Sequence, residues 1–144
     1  MDNTIRSKQK EHGQSMVELA LTITLLMVLL AGTIDFGRAF FTWLALRDAA
    51  QEGASYGSIY PSRIDLIKER VWDNLKQVSP DARNDISVSI GYIDHPCLGN
   101  TILVNVNYPS FPLTTPLLGA ILGSQTLSIH ATVNDSILKP MVCP

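Results

Sequence analysis

The stretch that decides the fold is Gly13–Glu18, with the sequence GQSMVE, which leads directly into an apolar run from Leu19 to Ile34. The run contains no charged residue. A charged side chain in a membrane span costs about 2.5 to 3.5 kcal/mol at the centre of the helix and less near its end. A glutamate at this edge is costly, so we expect Glu18 to have a specific partner.

The apolar run belongs to a helix that we predict over residues 14–57, where no proline occurs and leucine and alanine are frequent. At 1.5 Å per residue this helix is roughly 65 Å long, about twice the thickness of the bilayer core. We therefore predict a membrane span at about residues 15–35, with the second half of the helix outside it. Residues 1–13 are polar and lack apolar periodicity, which predicts a disordered leader peptide.

The distribution of charge predicts the orientation. Residues 1–13 hold three basic residues against two acidic ones, whereas the whole chain has a net charge of −2. A short basic segment before an apolar run tends to stay in the cytoplasm. We therefore expect a single-pass protein of the cytoplasmic membrane, with its N-terminus inside and residues 58–144 outside as one domain. The low net charge gives no sign of a nucleic-acid partner.

The second half of the helix is amphipathic. Phe36, Phe40, Trp43, Ala50 and Ala54 recur at helical spacing beside charged residues. We expect this stripe to pack against the domain rather than to line a ligand site.

An acidic and a basic residue stand just past the predicted span. Asp35 and Arg38 are three apart and therefore lie on one face of the helix. A local ion pair is one expectation for them, and a contact between subunits is the alternative.

The rest of the sequence indicates one further helix and a small sheet. The helix is predicted to begin at Ser62, with Asp65 completing a weak capping box, and to carry an apolar face to Val78. Alternation of apolar and polar residues predicts an antiparallel sheet with one covered face, and an apolar run before the last strand predicts a short helix. The predicted strands are residues 86–92, 102–108 and 127–133, and the predicted short helix is residues 117–122. The fold class is α+β: a long transmembrane helix packed, with a second helix, against a small antiparallel sheet.

Two cysteines, Cys97 and Cys143, fall in the part expected outside. An oxidising compartment favours a disulfide between them, and closing this loop would stabilise the domain by about 4 kcal/mol. Two unpaired thiols are the alternative.

The stretch Gly13–Glu18 resembles the processing site of type IV prepilins, whose leader is cut after a glycine and whose mature chain has glutamate at its fifth position. The resemblance implies cleavage between Gly13 and Gln14 by a prepilin peptidase on the cytoplasmic side. It also implies a role for Glu18 in pairing with the new N-terminal amine of a neighbouring subunit.

A narrower resemblance rests on three segments, and it is to the TadE-like family, the pilin-like proteins of the Tad (Flp) pilus machinery used in bacterial adhesion. The segments are GQSMVELAL at 13–21, IDFGRAFF at 34–41 and AAQEGA at 49–54. Gln51 departs from the basic residue that the family often has there. The resemblance implies a type IV pilin-like fold, and as partners the prepilin peptidase, other pilin-like subunits and the Tad assembly platform. It implies a location in the membrane and, after assembly, in the pilus.

Other interpretations stay open at this point. Glu18 could belong to an uncleaved signal anchor, or the apolar run could be a secretory signal peptide cut near residues 31–33. The chain could also be a monomeric, membrane-anchored binding domain or a pseudopilin of a type II secretion system. His95 and Cys97 lack further ligands at zinc-like spacing. No catalytic motif or phosphate-binding loop is present, so we expect neither an enzyme nor a cofactor or metal site.

Overall fold

The computed structural model of the chain describes residues 4–76 and 82–139. It contains a long N-terminal apolar helix, a second helix and a three-stranded antiparallel sheet, which confirms the predicted α+β class. The helices are α1 (Thr4–Ile59), α2 (Ile64–Leu75), α3 (Ala82–Asp85) and α4 (Pro116–Leu122). The strands are β1 (Ser87–Ile93), β2 (Thr101–Pro112) and β3 (Thr126–Ser136).

Helix α1 begins at Thr4 rather than at Gln14, so the predicted disorder of the leader is wrong from Thr4 onward. Lysine, arginine, glutamine and glutamate, which are frequent in this segment, are good helix formers. Extending an existing helix also avoids the cost of nucleation, so this mainly polar segment can continue it. At its other end α1 passes Gly57 and ends at Ile59, two residues before Pro61.

Helix α2 follows after a short turn, with Arg63 as its N-cap residue and no side-chain capping bond. The helix therefore begins two residues after the predicted start at Ser62, and the capping box of Ser62 and Asp65 stays a prediction. The buried residues of α2 are Ile67, Val71 and Leu75, as its apolar periodicity predicts. The predicted end of its apolar face at Val78 lies outside the described residues.

The sheet has the order β1-β2-β3, and both pairs are antiparallel. Val104 at its centre pairs with Ile90 on one side and with Val133 on the other. The register of β2 against β3 shifts between Tyr108 and Phe111, around Pro109, which has no N–H to donate to the ladder. All three strands and α4 lie where the alternation and the apolar run predict them.

One face of the sheet packs against α1 and α2, and the core lies between these layers. Its fully buried members include Leu46, Ala50, Ala54, Ile67, Val71, Ile102 and Val104. Small residues on α1 let the layers approach closely. A Cβ added at Gly53 would collide with the side chain of Val71, and one at Gly57 would collide with Ile102.

The aromatic half of the predicted stripe does not pack on the domain. Phe36, Phe40 and Trp43 are exposed, whereas Ala50 and Ala54 of the same predicted stripe are buried. Near the predicted span, the face of α1 that packs on the domain carries Asp35 and Ala39 instead. Each precedes an aromatic residue of the stripe by one position, so this face is rotated by about 100° from the stripe. The expectation of core packing is therefore wrong for the three aromatic residues, which we call the aromatic stripe.

The strands run along α1, and both ends of the sheet are tied to it. At one end the backbone N–H groups of Thr114 and Thr115, just after β2, donate to Asp35. At the other end the N–H of Leu138, just after β3, donates to the carbonyl of Ser58 at 2.9 Å. The connection through α4 thus lies at the end of the sheet nearest the predicted span.

Candidate functional site

The N-terminal part of α1 carries the predicted processing and pairing residues on an exposed helix. Gly13, Gln14 and Glu18 are all exposed, and a Cβ added at Gly13 would meet no atom within 4 Å. Within the described residues, the Glu18 carboxylate has no ion-pair partner. The predicted roles of these residues stay predictions, because both depend on other protein chains.

The apolar run of α1 has no packing partner among the described parts of the chain. Its side chains are exposed throughout Leu19–Met27, and residues 13–59 qualify as a candidate membrane span with a mean hydropathy of 2.2 over the best window. The hydroxyls of Thr22, Thr24 and Thr33 each donate to a backbone carbonyl four residues earlier at 2.8 Å. These bonds satisfy polar groups that lipid could not, so the helix is compatible with a single-pass anchor.

Asp35, at the end of this run, is a buried acidic residue and is only 2% exposed. Its Oδ1 accepts the N–H of Thr114 at 3.0 Å, and its Oδ2 accepts the N–H of Thr115 at 3.0 Å and the Thr115 hydroxyl at 2.5 Å. Both carboxylate oxygens thus act as acceptors, which suits the ionised form.

Arg38 completes this arrangement. Its Nη1 lies 3.6 Å from Asp35 Oδ1 and donates to the Thr114 hydroxyl, while its guanidinium lies 5.2 Å from the centre of the Phe111 ring. The predicted local ion pair between Asp35 and Arg38 is therefore confirmed. We call Asp35, Arg38, Thr114 and Thr115 the Asp35 clamp, because it fastens the start of α4 to α1.

Sequence reasoning missed the Thr114 and Thr115 half of the clamp, because these residues are about 80 positions from Asp35. One local signal existed. The segment Thr114-Thr115-Pro116 offers two N–H groups ahead of a proline at the first turn of a helix, and such groups need an acceptor from outside the helix. A buried carboxylate at the end of an apolar run is one such acceptor.

The aromatic stripe forms a continuous exposed surface on another side of α1. The rings of Phe36 and Phe40 are stacked with centroids 6.3 Å apart, and those of Phe40 and Trp43 with centroids 6.1 Å apart. The Arg47 guanidinium lies 5.9 Å from the centre of the Trp43 ring and ends the stripe on the side away from the span. Phe41 next to the stripe is also exposed, which makes this part of α1 apolar around much of its circumference.

An open groove of about 650 Å³ lies between α1 and the end of β2. Its wall on α1 includes Thr33, Gly37 and Phe41, which are spaced by four residues, and its other wall includes Tyr108 and Pro112. Gly37 leaves this part of the groove open, because a Cβ there would meet no atom within 4 Å. The groove is mainly apolar and lies beside the Asp35 clamp.

The predicted disulfide would join the connection between β1 and β2 to the C-terminal segment. Cys97 lies in the connection between β1 and β2, and the described residues contain no free cysteine. Cys143 lies outside the described residues, so the bond between Cys97 and Cys143 stays a prediction.

Comparison with known proteins identifies the N-terminal region alone. No curated protein and no solved structure matches the chain. Residues 13–55 match the family model described as TadE-like protein, and this match begins at Gly13 and includes Glu18, Asp35 and Arg38. Residues 13–55 are therefore a TadE-like segment, which confirms the resemblance for this part of the chain.

Proposed function

We propose that this chain is a TadE-type, pilin-like subunit for assembly of a Tad (Flp) pilus. In this role a prepilin peptidase removes the leader, and α1 then packs with the helices of other subunits in the filament or in its initiating complex. The observation that carries the proposal is the TadE-like match over residues 13–55, which begins at the glycine of the predicted cleavage site.

The surroundings of Gly13 support processing at the bond to Gln14. Both residues are exposed and lie at the cytoplasmic end of the proposed span. A glycine within a helix lowers its stability by about 1 kcal/mol relative to alanine, so α1 unwinds more easily here than in the leucine-rich run. The mature chain would begin at Gln14 and keep the whole apolar run as its anchor.

The carboxylate of Glu18, which is exposed and has no ion-pair partner within residues 4–76 and 82–139, supports a role in assembly. In a bundle of such helices the new N-terminal amine of one subunit is a cation in apolar surroundings. Pairing it with Glu18 of a neighbouring subunit brings two costly charges together and sets the stagger between the helices. We propose this pair as the device that fixes the register of assembly.

The proposal also assigns partners and a location. The partners are the prepilin peptidase, other pilin-like subunits and the Tad assembly platform. The chain is held in the cytoplasmic membrane, with the α+β domain outside and the predicted disulfide in an oxidising compartment. Its role is structural rather than enzymatic, and it needs no cofactor.

Intact-mass measurement tests the processing step. We expect the protein from cells that contain the peptidase to begin at Gln14, and the protein from cells that lack it to keep residues 1–13. A bulky Gly13→Leu variant should keep the leader in both backgrounds. A chain that retains Met1 in peptidase-containing cells would contradict the proposal.

A charge-removing variant tests the pairing step. We expect Glu18→Gln to abolish incorporation into filaments while the folded domain stays intact, because the neutral side chain cannot compensate the amine. Glu52→Gln is the matched control, since Glu52 lies on the same helix and forms an ion pair with Arg70 of the same chain, at 3.9 Å. Normal assembly of Glu18→Gln would favour the alternative, a monomeric, membrane-anchored binding domain. That alternative predicts loss of function from changes on the strands instead. A type II secretion pseudopilin would share the processing but support export rather than a pilus.

A further inference from the structure

We propose that α4 is a second membrane contact: its apolar side chains rest in the interfacial region of the same bilayer that α1 spans. This inference rests on the proposed anchoring of α1. It goes beyond that anchor, because it assigns a lipid-binding surface to the domain itself. The surface, which we call the foot, consists of Ile121 and Leu122 at the end of α4.

The position of α4 along α1 is the first argument. The Asp35 clamp places Thr115, the N-cap residue of α4, beside the residue that ends the apolar run. The opposite end of the sheet lies beside Ser58, which is 23 residues or about 35 Å further along α1. The α4 connection is thus the part of the sheet domain that lies level with the bilayer surface.

The chemistry of the foot is the second argument. Ile121 is 72% exposed and Leu122 is 62% exposed, although both are large and apolar. The chain has no Asp, Glu, Lys or Arg between Asp94 and Asp135, so no charge within this long segment opposes contact with lipid. Contiguous apolar patches on a protein surface often mark sites of protein or membrane interaction.

The distribution of apolar surface around α1 favours lipid over a second copy of the chain as the occupant. The groove and the start of α4 lie on the side of α1 that faces the sheet, whereas the aromatic stripe lies on another side. The groove, the aromatic stripe and the start of α4 all lie close to Asp35. A neighbouring subunit would cover one side of this region, whereas a bilayer interface covers every side, and exposed aromatic residues commonly mark that level.

The foot is also held in place rather than hanging from a loose loop. The N–H of Leu113 donates to the carbonyl of Gln125 at 2.9 Å and closes the base of the α4 connection. Gly119 is buried against the side chain of Gln125, where a Cβ would collide. With α4 fixed at both ends, contact of the foot with lipid would set how the domain tilts and rotates above the membrane.

Depth-dependent fluorescence quenching tests the foot directly. The full chain is reconstituted into phosphatidylcholine vesicles with increasing fractions of a brominated phosphatidylcholine, and a tryptophan is added as Leu122→Trp. Leu98→Trp is the matched control, since Leu98 is 58% exposed and lies in the connection between β1 and β2 at the opposite end of the sheet. Each variant is compared with the parent chain, whose Trp43 and Trp72 provide the baseline.

We expect the added tryptophan at position 122 to emit at shorter wavelength and to lose intensity as brominated lipid increases, while the one at position 98 keeps its intensity. Adding Ile121→Asp to Leu122→Trp should remove most of the quenching, and circular dichroism should show the same fold for all variants because all three positions are exposed.

Four results would overturn the inference. Equal quenching at positions 122 and 98, or none at position 122 in chains that resist an alkaline wash, would refute the foot while leaving the anchor of the proposed function intact. Shielding of position 122 only in lipid-free filaments would assign the surface to a second copy of the chain. Release of the whole chain by the alkaline wash would refute the anchor, and with it both the foot and the proposed function.

Discussion

The two halves of α1 are one continuous helix, yet they meet different surroundings. In the proximal half, every side chain from Gly13 to Leu26 is exposed. In the distal half, from Leu46 onward, one face of the helix is completely buried by α2 and the sheet. The difference lies in side-chain size. The distal half has Ala50, Gly53 and Ala54 on its buried face, which let other layers approach, whereas the proximal half has leucine, isoleucine and methionine all round.

This contrast separates what the chain supplies for itself from what its environment must supply. The distal half finds its partners within the chain and forms the core of the domain. The proximal half finds none among the described residues, and its exposed apolar surface fits the anchoring and assembly roles proposed above. Asp35 lies at the boundary, where the domain first contacts the helix.

The largest expected effect comes from cutting a side chain on the buried face of the distal half. Leu46→Ala should lower the free energy of unfolding of the domain by about 2 to 5 kcal/mol, because Leu46 is 0% exposed and the change leaves a cavity. Thermal unfolding in mild detergent, followed by near-ultraviolet circular dichroism, measures it. Leu25→Ala in the proximal half is the control and should leave domain unfolding unchanged. An equal loss of stability in both variants would show that the two halves of α1 do not differ in their contribution to the folding of the domain.

A smaller effect is expected from a single methyl group at a close contact. Gly53→Ala should destabilise the domain by about 1 to 3 kcal/mol, since the new Cβ collides with the stiff side chain of Val71. Gly37→Ala is the matched control, because it has open space and should be neutral or stabilising by up to about 1 kcal/mol. The same unfolding assay applies. Tolerance of alanine at Gly53 would mean that the layers are less tightly packed than described.

The boundary itself can be tested at Asp35. Asp35→Asn replaces one of two acceptor oxygens with an amide that faces an N–H donor, so the clamp should open and the start of α4 should detach. We expect faster hydrogen exchange at residues 113–125, with a smaller loss of global stability than in the core variants. Asp48→Asn, at an exposed position of the same helix, should change neither quantity. Unchanged exchange in Asp35→Asn would show that packing alone holds α4.

The smallest effect is expected far from the boundary, at the turn between α1 and α2. The Tyr92 hydroxyl donates to the carbonyl of Pro61, so Tyr92→Phe should cost about 0.5 to 1.5 kcal/mol. Burial also raises the pKa of Tyr92 above its ordinary value of 10.0. The folded state therefore keeps the phenol proton more strongly than the unfolded state, and this contribution is present below pH 10 and lost as the pH rises further.

The free energy of unfolding, measured at increasing alkaline pH, tests the direction of this effect. The parent chain should lose stability above about pH 10, and Tyr92→Phe should lose less over the same range. Equal losses would assign the alkaline effect to other groups, such as Tyr108, whose pKa is also raised by burial.

Local periodicity was enough to predict most of the fold. Alternation located all three strands, and the short apolar run located α4, because these patterns depend on neighbours along the chain. The Asp35–Arg38 pair followed from their spacing on one helix. The aromatic stripe was predicted wrongly because helical periodicity states that residues share a face, but not which of two apolar faces the domain covers. Small residues such as Ala39 and Gly53 were the signal for the covered face.

By itself, the sequence determined that a single apolar helix carries a TadE-like segment with Glu18 at its start and an α+β domain at its end. Composition and short-range spacing suffice for these features, since they depend only on residues close together in the chain. Only the tertiary structure decided that Asp35 holds Thr114 and Thr115 and that the aromatic stripe faces away from the core. Both depend on how α1 is rotated against the sheet, and that rotation follows from the packing of residues that lie far apart in sequence.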